Sequence, residues 1–446
     1  MLFLYGVAAG PLYRTESLRA IIARECLRGN WLFPVLYERP FLTKPPGHYV
    51  AIGLCSLPFG EVTAVTSRLP SVAAATASVF LLYGLFRRSL DERSALLAGV
   101  LMPTSVLWLD KVPSAEIDMT LVGWVTAAVV LVQAAVERGS TVWWVCALLA
   151  VVAGTLTKWT APAFFYLTLG SWLLWRGQVR LLFGWRHLLA VAVALLVCSL
   201  WASAVSSRVG WGALLETLRS EAAYRFSPKS AATGLPAGEV IAYPLLVWAA
   251  HLPVSAFAVL TLRPGFLANW DERGRRLLQL LHCWTWPNLL FWSLVPNHNV
   301  RYALPLSPGL VGLGVMGLLG TVRSERALWV GVVGFLAVWL AVKVAFVEIV
   351  IPQRGMKRNP EPIAAELRDH VPAGVPLYLF RLKDEGVLFY YGRPAVRLQS
   401  PGELPAGAFA VLTRAEWDDR ASFGHLRLVH WMHDQQGAPL ILVRAP

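Results

Sequence analysis

Residues 188–204 read LLAVAVALLVCSLWASA, an apolar run without a single charged side chain. A helix of about 20 such residues crosses the hydrocarbon core of a membrane, which is roughly 30 Å thick. Residues 71–86 and 327–347 form two further apolar runs, and the second contains one charged residue, Lys343. Because the apolar residues are continuous rather than alternating, the runs predict membrane-spanning helices and not the strands of a barrel. We therefore expect a polytopic, all-α membrane protein.

The composition of the whole chain agrees with this class. Hydrophobic residues make up 56% of the chain and charged residues only 15%, whereas a soluble protein carries charge on about a quarter of its residues. The formal net charge is +13, but the arginines are spread among short loops. Membrane topology and anionic lipid explain such arginines better than nucleic acid does. The first predicted partner is therefore the lipid bilayer, and no nucleic-acid partner is expected.

The hydropathy pattern predicts about eleven spans. They cover residues 1–12, 66–86, 94–109, 117–136, 142–157, 160–175, 188–206, 240–262, 278–295, 303–320 and 327–349. Arginine-rich loops alternate with the others, and the positive-inside bias makes them cytoplasmic. The outer segments are then 13–65, 110–116, 207–239, 296–302 and all residues after 350. These features predict a multi-pass protein of the cell inner (cytoplasmic) membrane, with its C-terminal part on the periplasmic or extracellular side.

The composition changes after residue 353, where short strand-like segments alternate with Pro/Gly turns. The predicted strands are 376–380, 395–398, 408–412, 426–430 and 439–443, and the predicted helices are 361–368 and 414–421. We therefore expect two domains. Residues 1–352 form a transmembrane domain with outer loops 13–65 and 207–239, and residues 353–446 form a small outer α/β domain.

The first outer loop contains an unusual number of cations for the outer side of a membrane. They are Arg14, Arg19, Arg24, Arg28, Arg39 and Lys44. One explanation is a site for an anionic molecule, and the other is that long loops escape the positive-inside rule. Within this loop, residues 16–28 place Leu18, Ile21, Ile22 and Cys26 near one helical face, which predicts a helix that lies at the interface.

Charged side chains within or beside spans are costly, so each is a functional candidate. The predicted topology gathers eight such residues on the outer face. They are Glu16, Lys44, Arg68, Glu116, Asp118, Lys158, His298 and Arg301. Sugar transfer from a lipid phosphate needs a carboxylate to orient or deprotonate the acceptor hydroxyl. It also needs cations that hold the phosphate as negative charge develops on it. Structural roles, such as helix capping and snorkelling to the interface, are open for each of them.

Six sequence motifs occur in an order that resembles one known superfamily. They are TESLR at 15–19, NWLFP at 30–34, TKPPGHY at 43–49, RLPS at 68–71, EID at 116–118 and RYALPL at 301–306. In this order they resemble type C (GT-C) glycosyltransferases of the protein O-mannosyltransferase/aminoarabinose transferase superfamily. The resemblance implies a GT-C fold of about eleven transmembrane helices, with a small C-terminal α/β periplasmic domain. It also implies a polyprenyl-phosphate-sugar donor.

The resemblance suggests roles for individual residues. Lys44 would hold the donor phosphate, assisted by Lys158, Arg301 and Arg68, and Tyr302 would pack near the lipid or sugar. In the family an Asp-Glu pair opens the first outer loop, and its Asp is the usual catalytic candidate. Here Thr15 occupies the Asp position, and a threonine hydroxyl is no general base near neutral pH. The catalytic candidates are therefore Glu16, Asp118 and Glu116, and His298 is a further candidate for substrate binding.

These observations predict a membrane glycosyltransferase. It would move one sugar, with inversion, from an undecaprenyl- or dolichyl-phosphate donor to a glycan, lipid or protein acceptor. The phosphate leaving group is already an anion and needs no general acid. No metal site is predicted from ligand spacing, although Glu16 and Asp118 are able to share a divalent cation such as Mg²⁺ or Mn²⁺. Two alternatives are a transporter or flippase for lipid-linked sugars, and an inactive scaffold of the same fold.

Overall fold

The computed structural model describes residues 2–227, 237–382, 384–434 and 436–446. Residues 228–236 of the predicted outer loop 207–239 lie outside this part. The chain divides into two compact units. Unit 1 comprises Met1–Leu4, Leu42–His48 and Arg68–Lys343, and unit 2 comprises Tyr5–Phe41, Tyr49–Ser67 and Val344–Pro446. The predicted domain boundaries at 352 and 353 stay a prediction.

Helices dominate the described residues. Those before residue 228 are α1 (Thr15–Leu27), α2 (Gly47–Ser56), α3 (Ala64–Ser89), α4 (Glu92–Leu101), α5 (Val106–Lys111), α6 (Ile117–Arg138), α7 (Thr141–Thr157), α8 (Ala161–Trp175), α9 (Trp185–Val209) and α10 (Trp211–Phe226). Those after residue 236 are α11 (Ala237–Ala250), α12 (Val254–Leu260), α13 (Glu272–Leu294), α14 (Ser307–Thr321), α15 (Glu325–Ala345), α16 (Ile351–Met356), α17 (Glu361–His370), α18 (Glu385–Tyr391), α19 (Arg414–Asp418) and α20 (Arg420–Phe423). Short 3₁₀-helices occupy Leu57–Phe59, Val179–Phe183, Phe266–Asn269, Val300–Leu306 and Pro401–Glu403, and a π-helix occupies Phe346–Val350.

Several of these helices are long and apolar enough to span a membrane. In the described part of the chain they number five, or six when the bent pair α11–α12 counts as one span. The five are Ala64–Ser89, Ile117–Arg138, Trp185–Val209, Val300–Thr321 and Glu325–His370. The protein is therefore a multi-pass, mostly helical membrane protein, as predicted, but the count of about eleven spans is not confirmed.

Local breaks explain part of the difference. Residues 2–8 form turns rather than the predicted first span. The predicted span 94–109 is interrupted between α4 and α5, where Pro103 has no N–H to continue a helix. The predicted span 240–262 bends by 115° between α11 and α12. The axis therefore changes direction where the hydropathy pattern is continuous.

Unit 1 packs its helices closely through small residues. On α14, a side chain at Gly314 or Gly317 would overlap backbone atoms of Val254 or Phe257 on α12. Small residues at such crossings let membrane helices approach each other closely. The van der Waals contacts that result drive helix packing in a membrane, where the hydrophobic effect does not. Helix α6 lies in the interior of the unit, because most of its residues are buried.

Unit 2 contains a five-stranded mixed sheet with the order β4-β3-β5-β7-β6. Its strands are β3 (Leu377–Leu379), β4 (Ala395–Arg397), β5 (Phe409–Thr413), β6 (Arg427–His433) and β7 (Pro439–Arg444). Strand β3 is parallel to β4 and β5, whereas β7 is antiparallel to β5 and β6. The predicted small C-terminal sheet domain is therefore confirmed. The helix α18 was not predicted.

The same unit contains the helix and hairpin of the first predicted outer loop. Residues Ile22 and Cys26 of α1 are buried in one core cluster with Leu377, Leu379 and Val411 of the sheet. Strands β1 (Val35–Leu36) and β2 (Arg39–Pro40) pair as an antiparallel hairpin with two residues in each strand. The amphipathic pattern of residues 16–28 thus did predict a helix, and its apolar face packs on a protein core.

Candidate active site

Two buried carboxylates begin helix α6. Glu116 is the residue before its first turn and Asp118 lies within that turn. Acidic side chains are favoured here because the unpaired N–H groups of a helix start carry a partial positive charge. Their side chains are only 8% and 4% exposed. Buried carboxylates at this depth need cationic partners or hydrogen bonds to remain charged.

Lys158 and Arg301 supply that positive charge. Lys158 follows the last residue of α7, and its Nζ forms an ion pair with Oδ1 of Asp118. Arg301 lies in the 3₁₀-helix Val300–Leu306, where its guanidinium is 3.4 Å from Oε1 of Glu116 and 3.7 Å from Oδ2 of Asp118. Four residues from three distant parts of the sequence therefore form one polar cluster inside a largely apolar unit.

The aromatic ring of Tyr302 is surrounded by cations. Nζ of Lys158 lies 4.3 Å from the ring centroid, and the guanidinium carbons of Arg225 and Arg301 lie at 4.7 and 5.7 Å. A cation within about 6 Å of an aromatic face is attracted by the ring quadrupole. Tyr302 thus holds three cations close together, although they repel one another.

Lys44 lies against the end of α7. A side chain at Gly47 would come within 2.7 Å of the carbonyl oxygen of Leu156, so the KPPG segment packs directly on the last turn before Lys158. Nζ of Lys44 is 2.5 Å from Oε2 of Glu221 and donates to the carbonyl of Thr43 at 3.1 Å. Burial lowers the pKa of Lys44, and the Glu221 carboxylate opposes that shift.

The polar cluster has a net positive charge. Its cations are Lys44, Lys158, Arg225 and Arg301, and its carboxylates are Glu116, Asp118 and Glu221. Four positive and three negative charges leave a net charge of +1. Arg225 lies close enough to both lysines to repel their charges. An additional anion, such as a phosphate, would relieve this repulsion.

The other predicted site residues have different surroundings. Arg68 is buried on α3, one turn before Ser71, whose hydroxyl donates to the backbone oxygen of Glu116 at 3.3 Å. His298 is not bonded to the carboxylates by any contact seen in the described residues. Its Nδ1 pairs with the carbonyl of Val295, and its ring packs 4.3 Å from that of Tyr243. Glu16 belongs to unit 2, in the first turn of α1, and accepts the N–H of Tyr13 at 3.4 Å.

Sequence reasoning missed Glu221 and Arg225 on α10. The sequence predicts an outer loop here, because charged residues interrupt the apolar pattern. The two residues are four apart, however, and residues at this spacing share one face of a helix. The backbone of α10 also contacts the loop before Arg301. There the side-chain amide of Asn297 donates to the carbonyl of Tyr224 at 3.3 Å. This contact brings α10 beside the cluster.

No metal centre is formed within the described parts of the chain, since no three His, Cys, Asp or Glu side chains are placed to hold an ion there. The suggestion that Glu16 and Asp118 share a divalent cation therefore stays a prediction. The charge in the cluster comes from lysine and arginine side chains.

Sequence comparisons agree with the motif resemblance. The family model described as dolichyl-phosphate-mannose-protein mannosyltransferase matches residues 43–203. The undecaprenyl phosphate-alpha-4-amino-4-deoxy-L-arabinose arabinosyl transferase of Pseudomonas paraeruginosa is 31% identical over 296 residues, which cover 63% of this chain and 50% of that protein. The enzyme of the same name from Pectobacterium carotovorum is 30% identical over 324 residues, 70% of this chain and 56% of the relative. The chain spans about half the length of the curated relatives it matches.

Solved structures show the fold. The crystal structure of ArnT from Cupriavidus metallidurans bound to undecaprenyl phosphate matches with a TM-score of 0.79 at 19% identity, over 99% of this chain and 96% of that one. The apo structure of the same protein matches with a TM-score of 0.78. In its motifs, its sequence and its fold, this chain is thus similar to the GT-C glycosyltransferases of the protein O-mannosyltransferase/aminoarabinose transferase superfamily, and the resemblance predicted from the motifs is confirmed.

Proposed function

We propose that the protein transfers a single sugar from a polyprenyl-phosphate donor, and that the polar cluster of unit 1 binds the donor phosphate. The observation that carries the proposal is the set of four cations around three carboxylates, with a net charge of +1. The ArnT structure that contains undecaprenyl phosphate, and the relatives named for an undecaprenyl-phosphate-linked arabinose, support this class of donor.

Lys44 and Arg225 are the cations best suited to receive the phosphate. Lys158 is already paired with Asp118, and Arg301 lies beside both carboxylates of α6. Lys44 is also paired, but its partner Glu221 lies on α10 and not on α6. Arg225 lies on α10 as well. A phosphate that enters here competes with Glu221 for Lys44 and adds bonds to the Arg225 guanidinium. The cations then stabilise the charge that develops on the leaving phosphate as the glycosidic bond breaks.

Asp118 and Glu116 act as positioning residues in this proposal. They hold Lys158 and Arg301 beside Tyr302, which fixes these cations before the donor arrives. Preorganised charge of this kind costs no rearrangement at the moment of reaction. Asp118 can in addition activate the acceptor hydroxyl, and Glu16 is the other carboxylate suggested by the sequence. Because Asp118→Asn also leaves Lys158 without its partner, loss of turnover assigns this role to Asp118 only if the variant still folds and binds the donor.

The active site and the sheet of unit 2 are proposed to face the periplasmic or extracellular side of the inner membrane. This orientation follows from the arginine-rich loops near residues 87–93, 138, 176–186, 263–276 and 323–326. The acceptor would then be a glycan, lipid or protein outside the cytoplasm. The donor would enter from the bilayer.

The test is donor turnover by purified protein in lipid nanodiscs. A panel of radiolabelled polyprenyl-phosphate sugars is supplied with candidate acceptors, and the release of free polyprenyl phosphate is measured. We expect turnover of one donor, which is lost in Lys44→Ala and in either Asp118→Asn or Glu16→Gln. Lys111→Ala is the matched control, because Lys111 pairs with Asp110 outside the cluster. Donor binding without release, unchanged in both carboxylate variants, would contradict the transferase and favour lipid transport or a scaffold.

A further inference from the structure

The 3₁₀-helix Val300–Leu306 carries two residues of the polar cluster, Arg301 and Tyr302. Helices of this type rarely exceed three or four residues, because the geometry of their hydrogen bonds is poor. This one covers seven residues and contains Pro305, which has no N–H group to donate. Its conformation, and with it the position of the two cluster residues, therefore depends on support from neighbouring elements.

Helix α11 and the residue that follows it contact both ends of this 3₁₀-helix. At the beginning, the hydroxyl of Tyr243 lies 3.5 Å from the carbonyl oxygen of Asn299, whose side chain accepts the N–H of Arg301 at 3.2 Å. At the end, Nε2 of His251 is 2.7 Å from the hydroxyl oxygen of Ser307. Ser307 is the first residue of α14, so this second contact fixes the point at which the 3₁₀-helix joins the following helix.

The hydrogen bonds of His251 assign a role to each of its ring nitrogens. Nδ1 lies 2.8 Å from the carbonyl oxygen of Val247, and a carbonyl oxygen only accepts. Nδ1 therefore carries the proton, and Nε2 accepts the hydrogen of the Ser307 hydroxyl. His251 is 1% exposed and Ser307 is 0% exposed. Because a buried polar group without its partner is costly, the pair favours one position of Ser307 over all others.

The burial of this pair also decides what it does. A serine next to a histidine is the arrangement of a nucleophile and its base, which must meet a substrate. His251 and Ser307 are both enclosed by the protein, so a substrate does not reach them. The neighbouring contact is structural as well, since Nε1 of Trp284 donates to the carbonyl of Pro305 at 3.0 Å. The pair therefore supports the backbone of the 3₁₀-helix.

We propose that His251, acting through Ser307, is a positioning residue for Arg301 and Tyr302. This inference rests on the proposed function of the polar cluster. By fixing the end of the 3₁₀-helix, the pair keeps the guanidinium of Arg301 beside Asp118 before the donor arrives. Charges that are placed in advance stabilise the leaving phosphate without rearrangement, and small displacements of such groups reduce the rate strongly.

Steady-state kinetics in nanodiscs separates positioning from general damage. Lys44 and Arg225 are proposed to receive the donor phosphate, and the His251–Ser307 pair touches neither of them in the described residues. His251→Phe and Ser307→Ala should therefore lower kcat by about tenfold or more, and should weaken equilibrium binding of polyprenyl phosphate by a much smaller factor. Each kcat is expressed per binding site, counted by titration with polyprenyl phosphate, so that unfolded protein does not contribute. His251→Gln keeps an acceptor near the position of Nε2 and should restore part of the rate.

His187 provides a matched control within the same unit. It is also buried, its Nδ1 is 2.7 Å from the carbonyl oxygen of Leu182, and its Nε2 is 3.2 Å from the hydroxyl of Tyr166. Its hydrogen bonds thus repeat the pattern of His251, but none of them reaches the polar cluster. His187→Phe should leave both kcat and the affinity for polyprenyl phosphate unchanged.

A fluorine label tests the position of Tyr302 without any donor. A fluorinated tyrosine at this position reports the surroundings of the ring by fluorine NMR. We expect a shifted or split resonance in His251→Phe and in Ser307→Ala, and the resonance of the parent in His187→Phe. Because Ser307→Ala removes only one hydroxyl group, it tests the proposal even if His251→Phe does not fold.

The two measurements together separate this inference from the proposed function. Unchanged resonances in both variants, an unchanged kcat, or losses of equal size in kcat and in affinity would overturn the positioning role. A parent protein that turns over no donor contradicts the proposed function instead. In that case, changed resonances in His251→Phe and Ser307→Ala would still show that the pair holds Tyr302 in place.

Discussion

Lys44 combines burial with a positive charge, and both properties suit a ligand of the donor phosphate. Its Nζ has the Glu221 carboxylate at 2.5 Å, which keeps the charge balanced while no donor is bound. The two prolines that follow it restrict the backbone, and Gly47 brings the segment against α7. The lysine is thus held in position without being locked to a permanent partner.

The lowered pKa of Lys44 predicts a pH dependence of donor binding. Burial lowers this pKa below the ordinary lysine value of 10.5, so the ammonium group loses its proton at a lower pH than an exposed lysine does. We expect the affinity for polyprenyl phosphate to fall as the pH rises through the lowered pKa of Lys44. The variant Lys44→Arg keeps its charge throughout this range. Binding to nanodiscs between pH 7 and pH 10 measures the effect. A decline of equal size in Lys44→Arg would assign it to another group.

The Asp118–Lys158 pair predicts a strong coupling in stability. Both side chains are buried, so Asp118→Asn leaves the lysine charge without its partner and should cost about 3–5 kcal/mol. The double variant Asp118→Asn/Lys158→Met removes the stranded charge and should recover much of that loss. Unfolding in detergent, measured for the single and double variants, tests the coupling. Additive effects of the two substitutions would show that the pair does not act as a unit.

Helix α10 carries a competitor and a proposed ligand on one face. Glu221 neutralises Lys44, whereas Arg225 faces the ring of Tyr302. Removal of the competing carboxylate in Glu221→Gln should tighten binding of the phosphate several-fold. Arg225→Gln should weaken it about tenfold, the value typical of a lost charge-assisted hydrogen bond.

The two substitutions are a matched pair, because each replaces a charged side chain of α10 by glutamine. Equilibrium binding of polyprenyl phosphate to nanodisc-embedded protein measures both. Equal losses in the two variants would indicate that the helix is simply disturbed. Opposite changes are expected, since the two residues carry opposite charges beside the same ligand.

The orientation of the whole molecule is tested with a matched pair of exposed serines. In a cysteine-free background, Ser220→Cys on α10 should react with a membrane-impermeant thiol reagent added outside the inner membrane. Ser324→Cys, in the arginine-flanked loop between α14 and α15, should react only after the membrane is permeabilised. The arginine distribution predicts this result because cationic loops remain cytoplasmic. The reverse pattern of labelling would invert the topology.

The fold class, the strands of the small sheet domain and several residues of the polar cluster can be predicted from the sequence alone. Long apolar runs predict helices in a membrane, because a helix satisfies its own backbone hydrogen bonds there and a barrel strand would alternate apolar and polar residues. Short apolar segments separated by Pro/Gly turns predict five strands in the C-terminal part, and all five are present. Charges within or beside spans are rare, so the sequence alone makes Lys44, Asp118 and Lys158 functional candidates.

Which of these charges meet depends on the packing of the folded chain. Asp118 and Lys158 are 40 residues apart, and Arg301 is far from both in the sequence. Their pairing depends on how α6, α7 and the 3₁₀-helix before α14 pack, and hydropathy does not encode that geometry. The same packing brought in Glu221 and Arg225, which no motif singled out. Side-chain chemistry is readable from sequence, whereas long-range contacts depend on the packing of the whole chain.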